Sequence, residues 1–302
     1  MSASRASLRL TSRFDEVAGV CLHARVTGDG PPVVLVHGYG VSGRYLLPLA
    51  EVLGDRYAAY VLDLPGHGRS EEPPQAAGVP ELADALGGWL DAVGLDRPAL
   101  VASSMGCQIV TELAVRRPGC VGPMVLIGPT VDPARRRARH QVFGALRDAA
   151  REPAVLIALA AREGVAWDVR RLLAAARSAL EDRIEDRLPA IEQPTIVVHA
   201  ERDGFVSREW AEEVARLLPR GRLVVVPGEP HAIPFTQPGL VAGIVSDLLG
   251  EEGVELGGEL ARRLPHGHVA AGQPTKRRLR QQLLPLGGET RGYEPVVIAP
   301  NE

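Results

Sequence analysis

The sequence predicts an α/β fold, in which short strands and helices alternate along the chain. Short apolar runs of strand length are followed by glycine-rich or polar turns. Stretches with apolar residues at helical spacing follow several of these turns. A recurring order of strand, turn and helix is typical of a sheet covered by helices. The predicted strands are the apolar start of Pro32–Gly40, then Ala58–Leu62, Pro98–Val101, Met124–Gly128, Thr195–His199 and Leu223–Val226.

The string ASSMG at Ala102–Gly106 predicts the nucleophile of an enzyme. It follows the apolar run Pro98–Val101 and precedes a stretch with apolar residues at helical spacing. In a nucleophile elbow a serine sits in the tight turn between a strand and a helix, and the residues two before and two after it must be small. Ala102 replaces the first glycine of the general GxSxG pattern and adds one methyl group. Ser104 is therefore the predicted nucleophile.

A base and an orienting acid are predicted downstream of Ser104. A serine hydroxyl is a poor nucleophile until a histidine accepts its proton, and a carboxylate holds that histidine in place. Asp203 follows the predicted strand Thr195–His199, and His231 follows the predicted strand Leu223–Val226. The chemistry needs His231 to be neutral near pH 7.

Tyr39 and Met105 are predicted to form an oxyanion hole with their backbone N–H groups. The run Pro32–Gly40 places Tyr39 in a turn after a buried strand, and Met105 directly follows the nucleophile. Two such donors stabilise the negative charge that develops on a carbonyl oxygen during acyl transfer. His37 and His67 lie in neighbouring turns, where we expect them to brace the loops by hydrogen bonds rather than to transfer protons.

The chain resembles the α/β-hydrolase superfamily from about Phe14 to Leu249. The resemblance rests on five strings in the family's order, which are HGYG, DLPGHGRS, ASSMG, the ERD loop and the PHA loop. It implies an α/β-hydrolase fold with a mostly parallel eight-stranded sheet flanked by helices, and a helical lid inserted into it. It also implies a catalytic triad of Ser104 as nucleophile, His231 as base and Asp203 as acid.

Two other carboxylates compete with Asp203 for the role of the acid. Asp132 follows the strand that precedes the predicted lid, and some relatives carry the acid there. Glu201 lies two residues before Asp203. We prefer Asp203 to Asp132 because of its position in the loop after the predicted strand Thr195–His199. Glu201 is the weaker rival, since it is typical of a solvated loop charge.

Three segments are predicted. Residues 1–131 and 189–249 form the core, and residues 132–188 form the lid, which is rich in helix formers and ends in a predicted helix Leu172–Leu188. Residues 250–302 form an extension in which glycine and proline supply 14 of 53 residues. Because hydrophobic periodicity stops there, we expect this extension to be largely disordered.

Composition limits the classes of function. The net charge of −3 gives no reason to expect binding to nucleic acid or to an anionic membrane. The three cysteines, Cys21, Cys107 and Cys120, have unrelated spacings and predict reduced thiols rather than a disulfide framework or a zinc site. They favour the cytoplasm, and the N-terminus has no apolar core typical of an export signal. We predict no cofactor and no metal, and the oligomeric state stays open.

The predicted function is hydrolysis of a carboxylic ester or related acyl bond of a small, largely apolar substrate through an acyl-enzyme. Similar triads cleave carbon–carbon bonds in ring-opened aromatics, but a tryptophan usually follows the histidine in that group, and Ala232 stands there in this chain. Perhydrolase, lactonase and thioesterase activities stay open. Dehalogenases and epoxide hydrolases of this fold use an aspartate at the position of Ser104, which disfavours both. The arginine-rich run Ala134–His140 could alternatively bind a substrate carboxylate.

A hypothesis of another class is a ligand receptor that keeps the fold without turnover, because a fold does not by itself determine a function. The complete set of predicted nucleophile, base, acid and oxyanion turn argues against it. Labelling of Ser104 by an acylating or phosphonylating reagent discriminates the two hypotheses.

Overall fold

The computed structural model describes residues 10–149, 151–164 and 169–250. The strands are β1 Thr11–Val17, β2 Val20–Thr27, β3 Pro32–Val36, β4 Ala58–Leu62, β5 Ala99–Ser103, β6 Met124–Ile127, β7 Thr195–Ala200 and β8 Gly221–Val226. The helices are α1 Leu47–Leu53, α2 Val79–Val93, α3 Met105–Arg116, α4 Ala138–Ala149, α5 Ala154–Gly164, α6 Val169–Glu181, α7 Ile184–Arg187, α8 Arg208–Leu217, α9 Ile233–Thr236 and α10 Pro238–Gly250.

The eight strands form one sheet in the order β1-β2-β4-β3-β5-β6-β7-β8. Strands β1 and β2 and strands β2 and β4 pair antiparallel. All other neighbours pair parallel, so the carboxyl ends of β3, β4, β5, β6, β7 and β8 lie at one edge. The predicted eight-stranded, mostly parallel sheet is confirmed. In such sheets ligands bind in the crevice outside the carboxyl ends of the strands.

Both faces of the sheet are buried, which is why the central strands are continuously apolar rather than alternating. Along β3, Val34 and Val36 pack on one side with helices α2, α3 and α8. Val33 and Leu35 pack on the other side with α1, α9 and α10. The sheet is therefore the middle of three layers, and each of its faces has its own hydrophobic core.

The turn after β4 has a structural role. Asp63 is fully buried, and its Oδ1 accepts a hydrogen bond from the Gly43 N–H at 2.9 Å. Its Oδ2 lies 2.7 Å from His23 Nδ1. The carboxylate thus joins β2, the turn after β4 and the segment before α1. This buried contact orders the loops beside the carboxyl edge of the sheet.

The chain between β6 and β7 contains α4 to α7. The predicted single helix Leu172–Leu188 is wrong, because α6 ends at Glu181 and the short α7 follows. Arg183 has a non-helical φ of −110° and ψ of 71°. The preceding Asp182 accepts hydrogen bonds from Gln108 and Arg187, and these contacts hold the break.

Two predictions about segments are not tested by the fold. The division into a core and a lid stays a prediction. The predicted disordered extension, 250–302, lies outside the described residues apart from Gly250, the last residue of α10.

Candidate active site

Ser104 occupies a sharp turn between β5 and α3. Its backbone has φ 56° and ψ −124°, in a region that residues other than glycine rarely adopt. The Ser104 N–H donates a hydrogen bond to the Ile127 carbonyl at 2.9 Å, which ties the turn to the end of β6. A strained serine at the end of a central strand is the geometry of a nucleophile elbow.

Close backbone contacts explain the glycines around Ser104. A Cβ on Gly106 would lie 2.7 Å from the Val36 carbonyl oxygen and 2.8 Å from that of His37. A Cβ on Gly38 would lie 2.8 Å from the Ser104 Cβ. The elbow therefore packs against the end of β3 with no room for a side chain at either position.

We expect Gly106→Ala to lower the free energy of unfolding by about 1–3 kcal/mol, since the backbone of the elbow has to move. Gly243→Ala is the matched control, because Gly243 also lies in a helix but a Cβ added there would have no atom within 4 Å. It should raise the free energy of unfolding by up to about 1 kcal/mol. Urea denaturation of both variants measures the difference, and equal effects would contradict the packing argument.

Asp203 and His231 lie next to each other in the loops after β7 and β8. His231 Nδ1 is 2.7 Å from Asp203 Oδ2. Asp203 Oδ1 accepts hydrogen bonds from the backbone N–H groups of Phe205 at 2.8 Å and Val206 at 2.9 Å. Burial raises the pKa of Asp203, but the positive charge of His231 and these hydrogen bonds outweigh it, so the pKa is below its usual value. Asp203 is thus ionised and held rigidly.

The two rival carboxylates face other groups. Asp132 Oδ2 accepts a hydrogen bond from the Ser207 hydroxyl at 2.6 Å, and its Oδ1 accepts from the Ala134 N–H at 2.8 Å. Glu201 accepts from the Gly228 N–H at 2.7 Å. The structure therefore brings Asp203, rather than Asp132 or Glu201, to His231.

No hydrogen bond joins the Ser104 hydroxyl to His231 in the described part of the chain. His231 Nε2 is buried and has no hydrogen-bond partner in the described part of the chain, so no bond links it to the Ser104 hydroxyl. Gly128, at the end of β6, lies directly beside the pair, since a Cβ there would be 2.8 Å from His231 Cε1. In free enzymes catalytic hydrogen bonds are often long and tighten only with substrate.

Three carboxyl groups surround His231. Burial lowers the pKa of His231, but Asp203, Asp148 and Glu152 outweigh this and raise it to about 9. Asp148 belongs to α4, and Glu152 precedes α5. At pH 7 the imidazole is therefore mainly protonated, and the neutral base that the chemistry needs is the minor form.

The acidic surroundings also form the candidate metal group of the described residues. Asp148, Asp203 and His231 each offer one ligand atom, and these atoms lie within 4.8 Å of one another. The contact between His231 Nδ1 and Asp203 Oδ2 is already a direct hydrogen bond of 2.7 Å. Because this histidine and this carboxylate already bond each other, we assign the group to proton chemistry.

The turn after β3 carries Tyr39 and is braced by His37. His37 Nδ1 lies 2.8 Å from the Gly38 carbonyl oxygen, and its Nε2 accepts from the Leu64 N–H at 3.1 Å. Burial lowers the pKa of His37 to about 3, so the ring is neutral and its contacts fix one tautomer. Met105 begins α3, where the first amides have no acceptor within the helix. The oxyanion role of Tyr39 and Met105 stays a prediction.

The arginine-rich run before α4 contacts the protein itself. Arg135 donates to the Gly204 carbonyl at 3.2 Å, and Arg136 donates to both carboxylate oxygens of Glu185. These two guanidinium groups are engaged in holding loops, which weakens the alternative that they bind a substrate carboxylate.

Cavities lie at both edges of the sheet. One of about 50 Å³ lies between Tyr39, the turn at Gly66 and α6. Another of about 950 Å³ lies at the amino ends of β7 and β8, beside Arg220 and Arg222. The larger cavity lies at the amino ends of the strands, whereas Ser104 follows the carboxyl end of β5. We therefore assign the chemistry to the carboxyl edge of the sheet, although the cavity there is the smaller of the two.

A family model described as "Alpha/beta hydrolase family" matches residues 33–244, which include Ser104, Asp203 and His231. The chain belongs to the alpha/beta hydrolase family. It is 26% identical over 274 residues to the 2-(acetamidomethylene)succinate hydrolase of Mesorhizobium japonicum. The aligned region covers 82% of this chain and 99% of that protein. It is 27% identical to the pimeloyl-[acyl-carrier protein] methyl ester esterase of Stenotrophomonas maltophilia, over 71% of this chain and 90% of that one.

Solved structures agree with the sequence comparison. A thermophilic esterase from Thermogutta terrifontis superposes with a TM-score of 0.68 and 25% identity, over 80% of this chain and 98% of that chain. This alpha/beta hydrolase is therefore an enzyme, and the three relatives described here are one hydrolase and two esterases by name. None of the helices described for it is long and apolar enough to cross a membrane.

Two residues of the site were missed by sequence reasoning. Asp148 and Glu152 lie among strong helix formers, where a carboxylate pattern is typical of a solvated helix face. Only the packing of α4 against the Asp203 loop reveals their contact with the site. No signal in a single sequence of this alpha/beta hydrolase distinguishes them.

Proposed function

We propose that the protein hydrolyses carboxylic esters or related acyl bonds of small, largely apolar substrates through an acyl-enzyme on Ser104. The observation that carries the proposal is the hydrogen-bonded pair of Asp203 and His231, which lies in the loops after β7 and β8 beside the strained Ser104 turn. Two of the relatives described above are esterases by name, which also supports it.

The mechanism follows from the roles of these atoms. His231 Nε2 accepts the Ser104 proton while Oγ attacks the carbonyl carbon, and the carbonyl oxygen becomes an oxyanion. The N–H groups of Tyr39 and Met105 hold that oxyanion. Collapse breaks the bond to the leaving group, which takes the proton from His231. A water molecule, deprotonated by His231, then attacks the acyl carbon of the acyl-enzyme. The bond to Ser104 Oγ breaks, Oγ takes the proton back from His231, and the acid is released.

We also propose that α4 to α7 form a lid over Ser104. The Tyr39 hydroxyl donates to the Leu172 carbonyl of α6 at 2.9 Å. Arg171 donates to the Pro73 carbonyl at 2.7 Å. These two hydrogen bonds tie α6 to the turn after β3 and to the loop before α2, as expected of a helix that covers this edge of the sheet.

Cysteine chemistry supports a cytoplasmic location, which we include in the proposal. Cys21, Cys107 and Cys120 are free thiols. Burial raises the pKa of Cys107, so this thiol is unreactive. Reduced cysteines are the usual state in the cytosol.

Covalent labelling tests the proposed function. We expect a fluorophosphonate to add to one residue of the intact protein, and mass spectrometry to locate the adduct on Ser104. Ser104→Ala should abolish both the adduct and the turnover of p-nitrophenyl esters. Turnover of a series of these esters with increasing acyl chain length measures how long an acyl group the pocket accepts. Ser103→Ala is the matched control, since Ser103 is buried beside the elbow and should leave labelling intact.

The opposite outcome has a clear meaning. A folded protein that is not labelled and turns over no ester would overturn the proposal and favour a receptor that binds without catalysis. Equal ester turnover by Ser104→Ala and the unmodified protein would show that another residue carries the activity.

A further inference from the structure

Two carboxyl groups of the inserted segment contact the loops that carry the acid and the base. Asp148 Oδ1 accepts a hydrogen bond from the Gly204 N–H at 3.0 Å. Glu152 Oε1 accepts one from the Ala232 N–H at 2.9 Å. Gly204 directly follows Asp203, and Ala232 directly follows His231. The segment between β6 and β7 is thus bonded to both loops at the residue after each catalytic side chain.

Glycines fix the position of Asp148. A Cβ on Gly144 would lie 2.8 Å from the Gly204 carbonyl oxygen, and a Cβ on Gly204 would lie 2.7 Å from that of Gly144. Helix α4 therefore approaches the acid loop backbone to backbone. Only this close approach lets the short side chain of Asp148 reach the Gly204 amide.

The second oxygens of both carboxyl groups are enclosed. Asp148 Oδ2 and Glu152 Oε2 are buried and have no hydrogen-bond partner in the part of the chain that the structure describes. Because burial penalises the charged form, the pKa of Asp148 is raised to about 6 and that of Glu152 to about 7. A surface carboxylate would carry no such penalty. The protein therefore keeps two costly carboxyl groups beside one imidazole.

The charges around His231 come from several elements. Asp203 lies in the loop after β7, and Asp148 and Glu152 belong to the inserted segment; all three favour the imidazolium. His199 in β7 also feels the charge of His231. Arg151 opposes the raised pKa of Asp148. The summed charge of the groups around His231 is therefore negative.

We propose that Asp148 and Glu152 are positioning residues for His231, which hold the two catalytic loops in register and stabilise the imidazolium formed when Ser104 gives up its proton. This inference rests on the proposed function. It makes the inserted segment part of the electrostatic environment of the base, in addition to a cover over the nucleophile. Each carboxylate acts through the loops and through space, and neither touches the substrate.

The titration of His231 tests the proposal without reference to turnover. We use full-length Ser104→Ala protein with ¹⁵N-labelled histidine and assign the His231 signals by His231→Gln. Asp148→Asn and Glu152→Gln keep an oxygen acceptor for the loop amides but remove the charge. Each should lower the measured pKa of His231 by about one pH unit. Glu181→Gln and Asp186→Asn, exposed carboxylates of the same segment, should leave it unchanged.

Alanine variants separate the charge from the hydrogen bond. Asp148→Ala and Glu152→Ala should lower the pKa of His231 as the amide variants do. In uniformly ¹⁵N-labelled protein they should in addition broaden the backbone amide signals of Gly204 or Ala232. Thermal melting of each variant identifies one that fails to fold. A His231 pKa that is unchanged in folded Asp148→Asn and Glu152→Gln overturns the proposal.

Kinetics of variants that keep Ser104 provide the second measurement. The pH dependence of kcat/KM should move to lower pH in Asp148→Asn and Glu152→Gln by the amount that the titration gives. Absence of any ester turnover would count against the proposed function alone, because the titration still decides whether the two carboxyl groups act on His231.

Discussion

Asp203→Asn will lower kcat for ester hydrolysis by about 10⁴-fold, the loss that the same change causes in other serine triads. In the neutral form of His231, Nδ1–H donates a hydrogen bond to Asp203 Oδ2, with 2.7 Å between the two atoms, and Nε2 is free to accept the Ser104 proton. An asparagine can present its amide N–H₂ to Nδ1 instead. The imidazole then carries its proton on Nε2 and cannot act as the base. Steady-state kinetics with a p-nitrophenyl ester measure the loss.

The rival carboxylates provide matched controls for this prediction. Asp132→Asn and Glu201→Gln remove a charge from the same region, but their oxygens bond Ser207, Ala134 and Gly228 rather than the histidine. We expect both to keep kcat within a few-fold of the unmodified protein. A 10⁴-fold loss in Asp132→Asn, in protein that melts normally, would transfer the role of the acid to that residue.

The fold was predictable because its strongest signals are local. Strands such as β4 Ala58–Leu62 are continuous apolar runs, and their boundaries follow from glycine and polar residues. Ser104, Asp203 and His231 each lie in the turn or loop after a predicted strand. Parallel strands end at one edge of a sheet, so residues far apart in sequence meet there without any knowledge of packing.

The remaining features depend on tertiary contacts that leave no local pattern. The break between α6 and α7 follows from the bonds of Asp182 to Gln108 and Arg187. The contact of Asp148 with the acid loop requires the Gly144 and Gly204 backbones to touch. For the same reason the sequence could require a neutral His231 near pH 7 but could not locate the carboxyl groups that raise its pKa.

We expect kcat/KM for ester hydrolysis to rise roughly 50-fold between pH 7 and pH 9. With a pKa of about 9, only roughly 1% of His231 is neutral at pH 7 and half is neutral at pH 9. Because kcat/KM reports the free enzyme, it follows this neutral fraction. The measurement is a profile from pH 6 to pH 10 with the spontaneous hydrolysis rate of the ester subtracted. A profile that is flat above pH 7 would mean that the cluster holds a neutral histidine.

Protonation of His231 lowers activity but raises the free energy of unfolding. The pKa of His231 is raised from 6.5 in the folded protein, so its contribution to the free energy of unfolding is fully present below pH 6.5 and is lost as the pH rises through about 9. Asp148 and Glu152, whose pKa values are also raised, reduce stability as they ionise between about pH 4 and pH 7. The melting temperature should therefore fall over the range in which activity rises. Activity and stability would then be coupled through one set of buried carboxyl groups.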